Sequence, residues 1–117
     1  MKNAIVTGAT RGIGLATAEM LLREGYHVTV TYANNKESAS RCRDILKNTN
    51  NNFEILQVDQ TDKNEMHQFA QNMKRKGHVD CIVCNAGISL RSHLTEITDD
   101  DWERDMEMNV KSNFYLI

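Results

Sequence analysis

The chain has 117 residues, three cysteines and no proline, and its 14 basic and 16 acidic side chains leave a net charge of −2. This balance excludes a polybasic nucleic-acid arm, and no apolar run reaches the length of about 20 residues that a membrane span needs. We therefore expect a soluble protein that binds neither nucleic acid nor membrane, folded as one domain over residues 1–117.

The N-terminus and the cysteines indicate a cellular compartment. Met1–Val6 contains one positive charge and only a short apolar stretch, much less than the core of a secretory signal. The three cysteines are odd in number and lack the spacing of a disulfide framework, which favours a reducing environment. A cytoplasmic location is the expectation.

Apolar patterns divide the first half of the chain into strands and helices. Asn3–Thr7 is a short apolar run that predicts a first strand, and Gly12–Glu24 carries apolar residues at helical spacing. His27–Tyr32 is rich in β-branched residues and predicts the second strand. Asn35 is placed to cap a polar helix that follows.

The second half continues the alternation. Phe53–Val58 predicts a third strand, and Asp62, followed three residues later by a glutamate, resembles a capping arrangement for a helix that ends at Gly77. Asp80–Cys84 predicts the fourth strand. Thr98 and the acids after it open a last helix that runs to the end of the sequence.

Strands that alternate with helices of about a dozen residues indicate parallel βαβ units, because a parallel pair needs a long crossover. The fold class is therefore predicted as α/β, with a Rossmann-type doubly wound parallel sheet. The complete fold has six strands in the order 3-2-1-4-5-6, and this chain supplies four, predicted as 3-2-1-4. The fourth strand is expected at an edge of the sheet.

A glycine-rich turn lies between the first strand and the first helix. Its glycines, Gly8, Gly12 and Gly14, suit a tight turn, close approach of the backbone to a phosphate, and close packing of helix on strand. In this position a helix N-terminus can bind the diphosphate of a dinucleotide. The alternative is an ordinary turn whose glycines serve geometry alone.

The spacing of these glycines resembles one family. Thr7–Gly14 is similar to the cofactor signature of the short-chain dehydrogenase/reductase family, and Asn85-Ala86-Gly87 is similar to its second signature. Asp59 and Asn109 stand where the family places an aspartate toward adenine and a helix asparagine. Within the family, the first forty residues look closest to bacterial 3-oxoacyl-(acyl-carrier-protein) reductases.

The resemblance implies a nicotinamide dinucleotide as cofactor and hydride transfer to or from a carbonyl or alcohol carbon, with a 3-oxoacyl thioester as one candidate substrate. It implies one catalytic position, Asn109, which in the family helps to hold a water in a proton relay. The implied cofactor-binding residues are Gly8, Thr10, Arg11, Gly12, Ile13, Gly14, Asn34, Asp59, Gln60, Asn85, Ala86 and Gly87. The chain departs from the family pattern at Cys84 and at Gln60.

The end of the second strand bears on the choice of cofactor. An NAD site has an acid here that binds the ribose 2′-hydroxyl, whereas Thr31–Lys36 contains no carboxylate. Arg11 and Lys36 are available instead for a 2′-phosphate. The sequence therefore predicts NADP(H) in preference to NAD(H), with the alternative that both cations face only water.

The family's remaining catalytic groups are a serine and a Tyr-x-x-x-Lys pair, in which the lysine lowers the pKa of the tyrosine. The pair lies well beyond the helix asparagine in the family, and only eight residues follow Asn109 here. We expect no substitute within the chain. Two interpretations stay open: the NADP(H)-binding portion of an oxidoreductase, or a catalytically silent module that binds nucleotide or another chain. An uncovered edge strand and an apolar last helix predict a homo-oligomer.

Other patterns are interpreted without a function. Cys81 and Cys84 lie three apart in a predicted strand, so their side chains are expected on opposite faces. The four histidines are scattered without ligand spacing, and the acids Asp99–Asp101 are explained by helix capping. The sequence predicts no metal site.

Overall fold

A computed structural model describes residues 1–88 and 92–117. Four parallel strands form one sheet in the order β3-β2-β1-β4, which confirms the predicted fold class and strand order. The strands are β1 (Asn3–Val6), β2 (His27–Tyr32), β3 (Phe53–Gln57) and β4 (Cys81–Val83). The helices are α1 (Gly12–Arg23), α2 (Lys36–Lys47), α3 (Lys63–Lys76), α4 (Asp99–Met106) and α5 (Ser112–Leu116), with a 3-10 turn at Leu94–Glu96.

Three strands end earlier than the sequence predicts. Thr7, Val58 and Cys84 each fall just outside their strand, although the amide of Thr7 still donates to the carbonyl of Val83 at 3.1 Å. Differences of one or two residues are normal at strand and helix ends. Cys84 is exposed in the turn after β4.

Side chains cap the starts of α2 and α3 as predicted. The side-chain oxygen of Asn35 accepts the amide of a residue in the first turn of α2, and the Asp62 carboxylate accepts two amides of α3. The reciprocal half of a capping box is not formed in α3, because the Glu65 carboxylate accepts the amide of Asp59 at 3.3 Å instead. This bond ties α3 to the end of β3.

The last helical segment is interrupted, whereas the sequence predicts one regular helix. Thr98 and Asp101 form a complete capping box at its start, and the bonds from the Thr98 backbone and side chain hold the pKa of the Asp101 carboxyl below its usual value. Glu107–Lys111 forms a π-helical turn in which the Ser112 amide bonds to the Glu107 carbonyl five residues earlier. Single π-helical turns within α-helices are common at functional sites.

Alternating side chains of the strands build two apolar cores, one on each face of the sheet. On one face, Val6 and Val28 pack against α1 and α2. On the other, Ile5 packs with Phe69 of α3 and Leu116 of α5. Helices therefore cover both faces, which defines a doubly wound sheet.

The strand order reverses between β1 and β4, and all four strands point in the same direction. In sheets of this kind, ligands bind beyond the carboxyl ends of the strands at the reversal point. In the part of the chain that the structure describes, no helix combines the length and the apolarity needed to cross a bilayer.

Candidate functional site

A cleft of about 740 Å³ opens beyond the carboxyl ends of the strands, and segments that follow all four strands line it. All but one of the residues predicted to bind the cofactor contribute to its walls: Gly8, Thr10, Arg11, Gly12, Ile13, Asn34, Asp59, Gln60, Asn85, Ala86 and Gly87. The sequence motifs therefore converge on one site. The exception is Gly14.

Gly8 and Gly12 adopt a backbone conformation that favours glycine, with φ of +61° and +59°. A Cβ on Gly8 would lie 2.8 Å from the Cβ of Ala86, so Gly8 also permits close contact between the two loops. Apart from its chain neighbours and its own helix backbone, a Cβ on Gly12 would meet no atom of the described residues within 4 Å. Because Gly12 lines the cleft, that open space is where a ligand could approach its backbone.

Gly14 is buried and is not among the residues that line the cleft, so its contact with the cofactor stays a prediction, while its place in the structure shows a packing role. A Cβ here would lie 2.5 Å from the side-chain nitrogen Nδ2 of Asn85 and 2.8 Å from the Cα of Ala9. The absence of a side chain lets α1 approach both loops. Gly14 thus serves the close packing of helix on strand that the glycine motif requires.

The N-terminus of α1 faces the cleft without a side-chain cap. Arg11 occupies the cap position and makes no capping hydrogen bond, and the first turn contains no acid. The amides of Gly12, Ile13 and Gly14 have no intrahelical acceptor, as in the first turn of any α-helix. By contrast, side chains cap α2, α3 and α4. The start of α1 therefore combines free amide donors, the positive end of a helix dipole and a guanidinium.

Thr7 and Asn85 join the loops after β1 and β4. The Thr7 hydroxyl accepts the amides of Asn85 and Ala86, each at 3.1 Å. The Asn85 side chain donates to the carbonyls of Thr7 and Gly8 at 3.1 and 3.0 Å. These four bonds hold the two loops together at the base of the cleft.

The wall beyond β2 contains no carboxylate. Asn34 and Arg11 are exposed and line the cleft, whereas Lys36 does not line it. The buried Thr31 accepts the amide of Gly8 through its hydroxyl at 3.2 Å, so the glycine turn is also tied to β2.

The wall beyond β3 is formed by Asp59 and Gln60, which differ in their hydrogen-bond partners. One oxygen of Asp59 accepts both the amide and the hydroxyl of Thr61, at 2.9 and 2.6 Å. Its other oxygen has no partner among the described residues. Gln60 is only 3% exposed, and its amide donates to the Ser112 hydroxyl at 3.0 Å. Gln60 therefore links β3 to α5 as well as lining the cleft.

Asn109 stands behind the cleft wall, in the π-helical turn. Its side chain accepts the amide of Ile88 and donates to the carbonyl of Ile88, both at 2.8 Å. It also donates to Asp105 at 2.8 Å. The predicted catalytic residue thus holds the backbone next to the second signature.

Several lining residues are absent from the sequence-based set. Arg104 and Met108 reach the cleft from the last helical segment, one helical turn apart, and Ile88 follows the second signature. The spacing of Arg104 and Met108 before Asn109 is the signal that could have found them, since residues three or four apart share a helix face. The remaining residues that line the cleft but were not predicted from the sequence are Thr31, Tyr32, Ala33, Asn35, Ser38, Val58 and Thr61.

Tyr32 and Lys36 have the spacing Tyr-x-x-x-Lys, so the expectation that no tyrosine in the chain is followed by a lysine four residues later is wrong. Tyr32 ends β2 and Lys36 begins α2. The two residues therefore do not share a helix face, unlike an i, i+4 pair within one helix. Tyr32 and Lys36 also precede Asn109 in the sequence, whereas the catalytic Tyr-x-x-x-Lys pair of the family follows the helix asparagine.

The cysteines and histidines form no cluster of three or more potential metal ligands among residues 1–88 and 92–117. Cys42 is fully buried beneath the glycine turn, and burial raises the pKa of its thiol to about 11. Its sulfur lies 3.7 Å from the carbonyl oxygen of Ala9.

A smaller cavity of about 210 Å³ lies at the opposite end of the strands. Glu54 lines it and accepts hydrogen bonds from the Lys76 ammonium and from the Thr29 hydroxyl. Burial alone would raise the pKa of the Glu54 carboxyl, but these two bonds and the Lys76 charge lower it overall.

The strand order, the glycine turn at the start of α1 and the cleft at the reversal point together define a Rossmann-type dinucleotide-binding fold. The family model of short chain dehydrogenases matches residues 2–117. The chain therefore belongs to the short-chain dehydrogenase family of oxidoreductases, whose members bind a nicotinamide dinucleotide.

Known relatives agree with this assignment. The chain is 35% identical to the short-chain dehydrogenase/reductase GME11373 of Pestalotiopsis microspora, over 98% of this chain and 44% of that protein. It is 33% identical to the 3-oxoacyl-[acyl-carrier-protein] reductase FabG of Staphylococcus aureus, over 99% of this chain and 48% of that protein. The crystal structure of a blue fluorescent protein from a metagenomic library, in complex with NADPH, matches with a TM-score of 0.88 at 35% identity, covering 99% of this chain and 48% of that one. The chain thus spans about half the length of the curated relatives it matches.

Proposed function

We propose that the chain binds NADP(H) in preference to NAD(H), as the cofactor-binding portion of an oxidoreductase that transfers hydride between nicotinamide and a carbonyl or alcohol carbon. The observation that carries the proposal is the uncapped start of α1, where free amides and Arg11 face the cleft at the strand-order reversal. The resemblance to a structure that contains NADPH supports the same cofactor.

The diphosphate is assigned to the amides of Gly12 and Ile13, since a helix N-terminus favours anions. Gly12 leaves room for such an approach, because among the described residues no atom beyond its chain neighbours and its own helix backbone lies within 4 Å of the position of its absent Cβ. The adenosine half lies toward β2 and β3, where Asp59 offers the adenine amino group one oxygen that has no partner among the described residues. The nicotinamide half lies toward the loop of Asn85–Gly87.

The preference for NADP(H) follows from the charges at the end of β2. No carboxylate there accepts a ribose 2′-hydroxyl or repels a 2′-phosphate. Arg11 lines the cleft and can form charge-assisted hydrogen bonds to that phosphate, with Asn34 as a second, neutral contact.

Calorimetric titration with NADPH and with NADH tests this preference. We expect NADPH to bind more tightly. Arg11→Gln should weaken NADPH binding by about tenfold and change NADH binding little, since a charge-assisted hydrogen bond contributes about 1.5 kcal/mol. Lys36→Gln is the matched control, because Lys36 is exposed nearby but does not line the cleft. Tighter binding of NADH than of NADPH would refute the preference.

The substrate of the proposed activity is a carbonyl compound, and the similarity to FabG supports a 3-oxoacyl thioester as one candidate. Asn109 is the catalytic position proposed within this chain. In the described residues its side chain bonds to Ile88 and Asp105, so its first contribution is to fix the wall of the cleft.

A second candidate is a module that binds the nucleotide without turnover. Tyr26 and Tyr115 pack in the two cores, and Tyr32 lines the cleft beyond β2. Among the described residues Tyr32 is the one tyrosine that lines the cleft, and Lys36, four residues later, does not line it, which favours the second candidate. Oxidation of NADPH by the purified chain with a panel of ketones and 3-oxoacyl thioesters separates the two: turnover supports the first candidate, and binding without turnover supports the second.

We also propose that the chain forms homo-oligomers. The last helical segment exposes large apolar side chains at Trp102, Val110, Phe114 and Ile117, with exposed fractions between 51% and 86%. Exposed apolar patches of this kind favour association. Light scattering is expected to show a mass above 13.4 kDa that falls on dilution. A monomer at high concentration would contradict this proposal.

A further inference from the structure

The backbone at Gly87 and Ile88 forms part of the cleft wall and is paired to one side chain of the last helical segment. Asn109 accepts the Ile88 amide through Oδ1 and donates to the Ile88 carbonyl through Nδ2, both at 2.8 Å. This pairing works for one orientation of the Asn109 amide, because a flipped amide would place donor against donor and acceptor against acceptor.

Asp105 contacts the same amide from within its own helix. Its Oδ1 accepts a second hydrogen bond from Asn109 Nδ2 at 2.8 Å. An ionised carboxylate can only accept, so it repels the carbonyl oxygen of a flipped Asn109. Because Asp105 and Asn109 stand one turn apart, this constraint does not depend on where the loop of Ile88 lies.

The position of the Asn109 amide also limits the cleft wall sterically. A Cβ on Gly87 would lie 3.0 Å from Asn109 Oδ1, so the backbone of Gly87 passes close to that oxygen. The Asn109 backbone is held as well, since its carbonyl accepts the side-chain amide of Asn113 at 3.0 Å. The side-chain amide of Asn109 is therefore held in place, and the backbone of the cleft wall packs against it.

We infer that Asp105 is a positioning residue for the cofactor cleft: its carboxylate orients the Asn109 amide, and that amide holds Gly87 and Ile88 where the cofactor binds. The inference rests on the proposed function for its effect on NADP(H). Its structural part, the effect of Asp105 on Ile88, stands without a cofactor.

The structural part is tested by amide hydrogen exchange of Ile88, measured by NMR on the chain without cofactor. Asp105→Ala should speed the exchange of Ile88 by about tenfold, the ratio expected for about 1.4 kcal/mol from one lost hydrogen bond to a charged group. Asp105→Asn keeps an acceptor oxygen and should stay within about threefold of the parent chain. The exposed Asp100, on the same helix, provides the control Asp100→Ala, which should leave Ile88 unchanged.

The exchange of Val30, in the middle of the sheet, separates a local effect from general destabilisation. If Ile88 and Val30 accelerate by the same factor in Asp105→Ala, Asp105 acts on overall stability and the positioning role is overturned. Unchanged exchange at Ile88 also overturns it. If Asp105→Ala does not fold, Asp105→Ser gives the same prediction, because its hydroxyl is too short to replace the carboxylate oxygen.

The functional part is tested by titrating the same variants with NADPH. Asp105→Ala should weaken binding by about fivefold and Asp105→Asn by less than about twofold, in the same order as the exchange of Ile88. Faster exchange at Ile88 with unchanged NADPH affinity would overturn the link to the cofactor. If the parent chain binds no NADPH, the proposed function fails, while the exchange of Ile88 still decides whether Asp105 positions Asn109.

Discussion

The Thr7 hydroxyl offers a quantitative test of how the cleft is held together. Thr7 is fully buried, and its hydroxyl accepts two amides, those of Asn85 and Ala86, while it donates to the carbonyl of Val83 at 3.5 Å. Thr7→Val keeps the shape of the side chain but leaves the Ala86 amide without its acceptor, whereas the Asn85 amide keeps the Val83 carbonyl at 3.0 Å. A partly buried donor that loses its partner costs about 1–2 kcal/mol, so we expect the free energy of unfolding to fall by about that amount.

Urea denaturation followed by circular dichroism measures this loss. Thr17→Val is the control, because the Thr17 hydroxyl donates to a helix carbonyl in an exposed position, and its removal should cost less than about 0.5 kcal/mol. The reasoning is refuted if Thr7→Val and Thr17→Val lower stability equally. NADPH affinity should also fall in Thr7→Val, since the same hydroxyl holds the loop of Asn85–Gly87.

Three further predictions concern packing, pH and reactivity. Gly14→Ala should lower stability by more than about 2 kcal/mol in urea denaturation, because its Cβ would overlap neighbouring loop atoms; a loss under 1 kcal/mol would contradict the packing role. Stability should decrease as pH falls below about 4.5, because the folded state lowers the pKa of Glu54: this contribution is present above the unfolded value of 4.5 and is lost as pH falls through the lower folded value. Lys76→Met should reduce that acid dependence in pH-dependent melting, and an unchanged dependence would contradict it. A thiol reagent at pH 8 should label the exposed Cys84 and leave the native Cys42 unlabelled, as peptide mass spectrometry can show; equal labelling would contradict the burial of Cys42 and its pKa of about 11.

The sequence was sufficient to predict the fold because each element carries its own signal. The β-branched run at His27–Tyr32 and the side-chain caps at Asn35 and Asp62 mark a strand and two helix starts, and all three are confirmed. The order of the strands follows from parallel crossovers, whose handedness and length leave few alternatives. These are local rules that a single sequence contains.

The site was less accessible from sequence because its geometry depends on contacts between distant segments. The glycine motif does not distinguish Gly12, which lines the cleft, from Gly14, which packs against Asn85. The π-helical turn at Glu107–Lys111 has no local sequence signal, yet it contains Asn109 and lies next to Arg104. Spacing alone is equally uninformative for Tyr32, whose lysine four residues later begins a different element.

A crystal structure of the chain grown with NADPH tests the central claim most directly. We expect the diphosphate to lie against the amides of Gly12 and Ile13 at the start of α1, with the 2′-phosphate beside Arg11. An ordered chain with NADPH bound elsewhere, or with the glycine turn closed to it, would contradict the account.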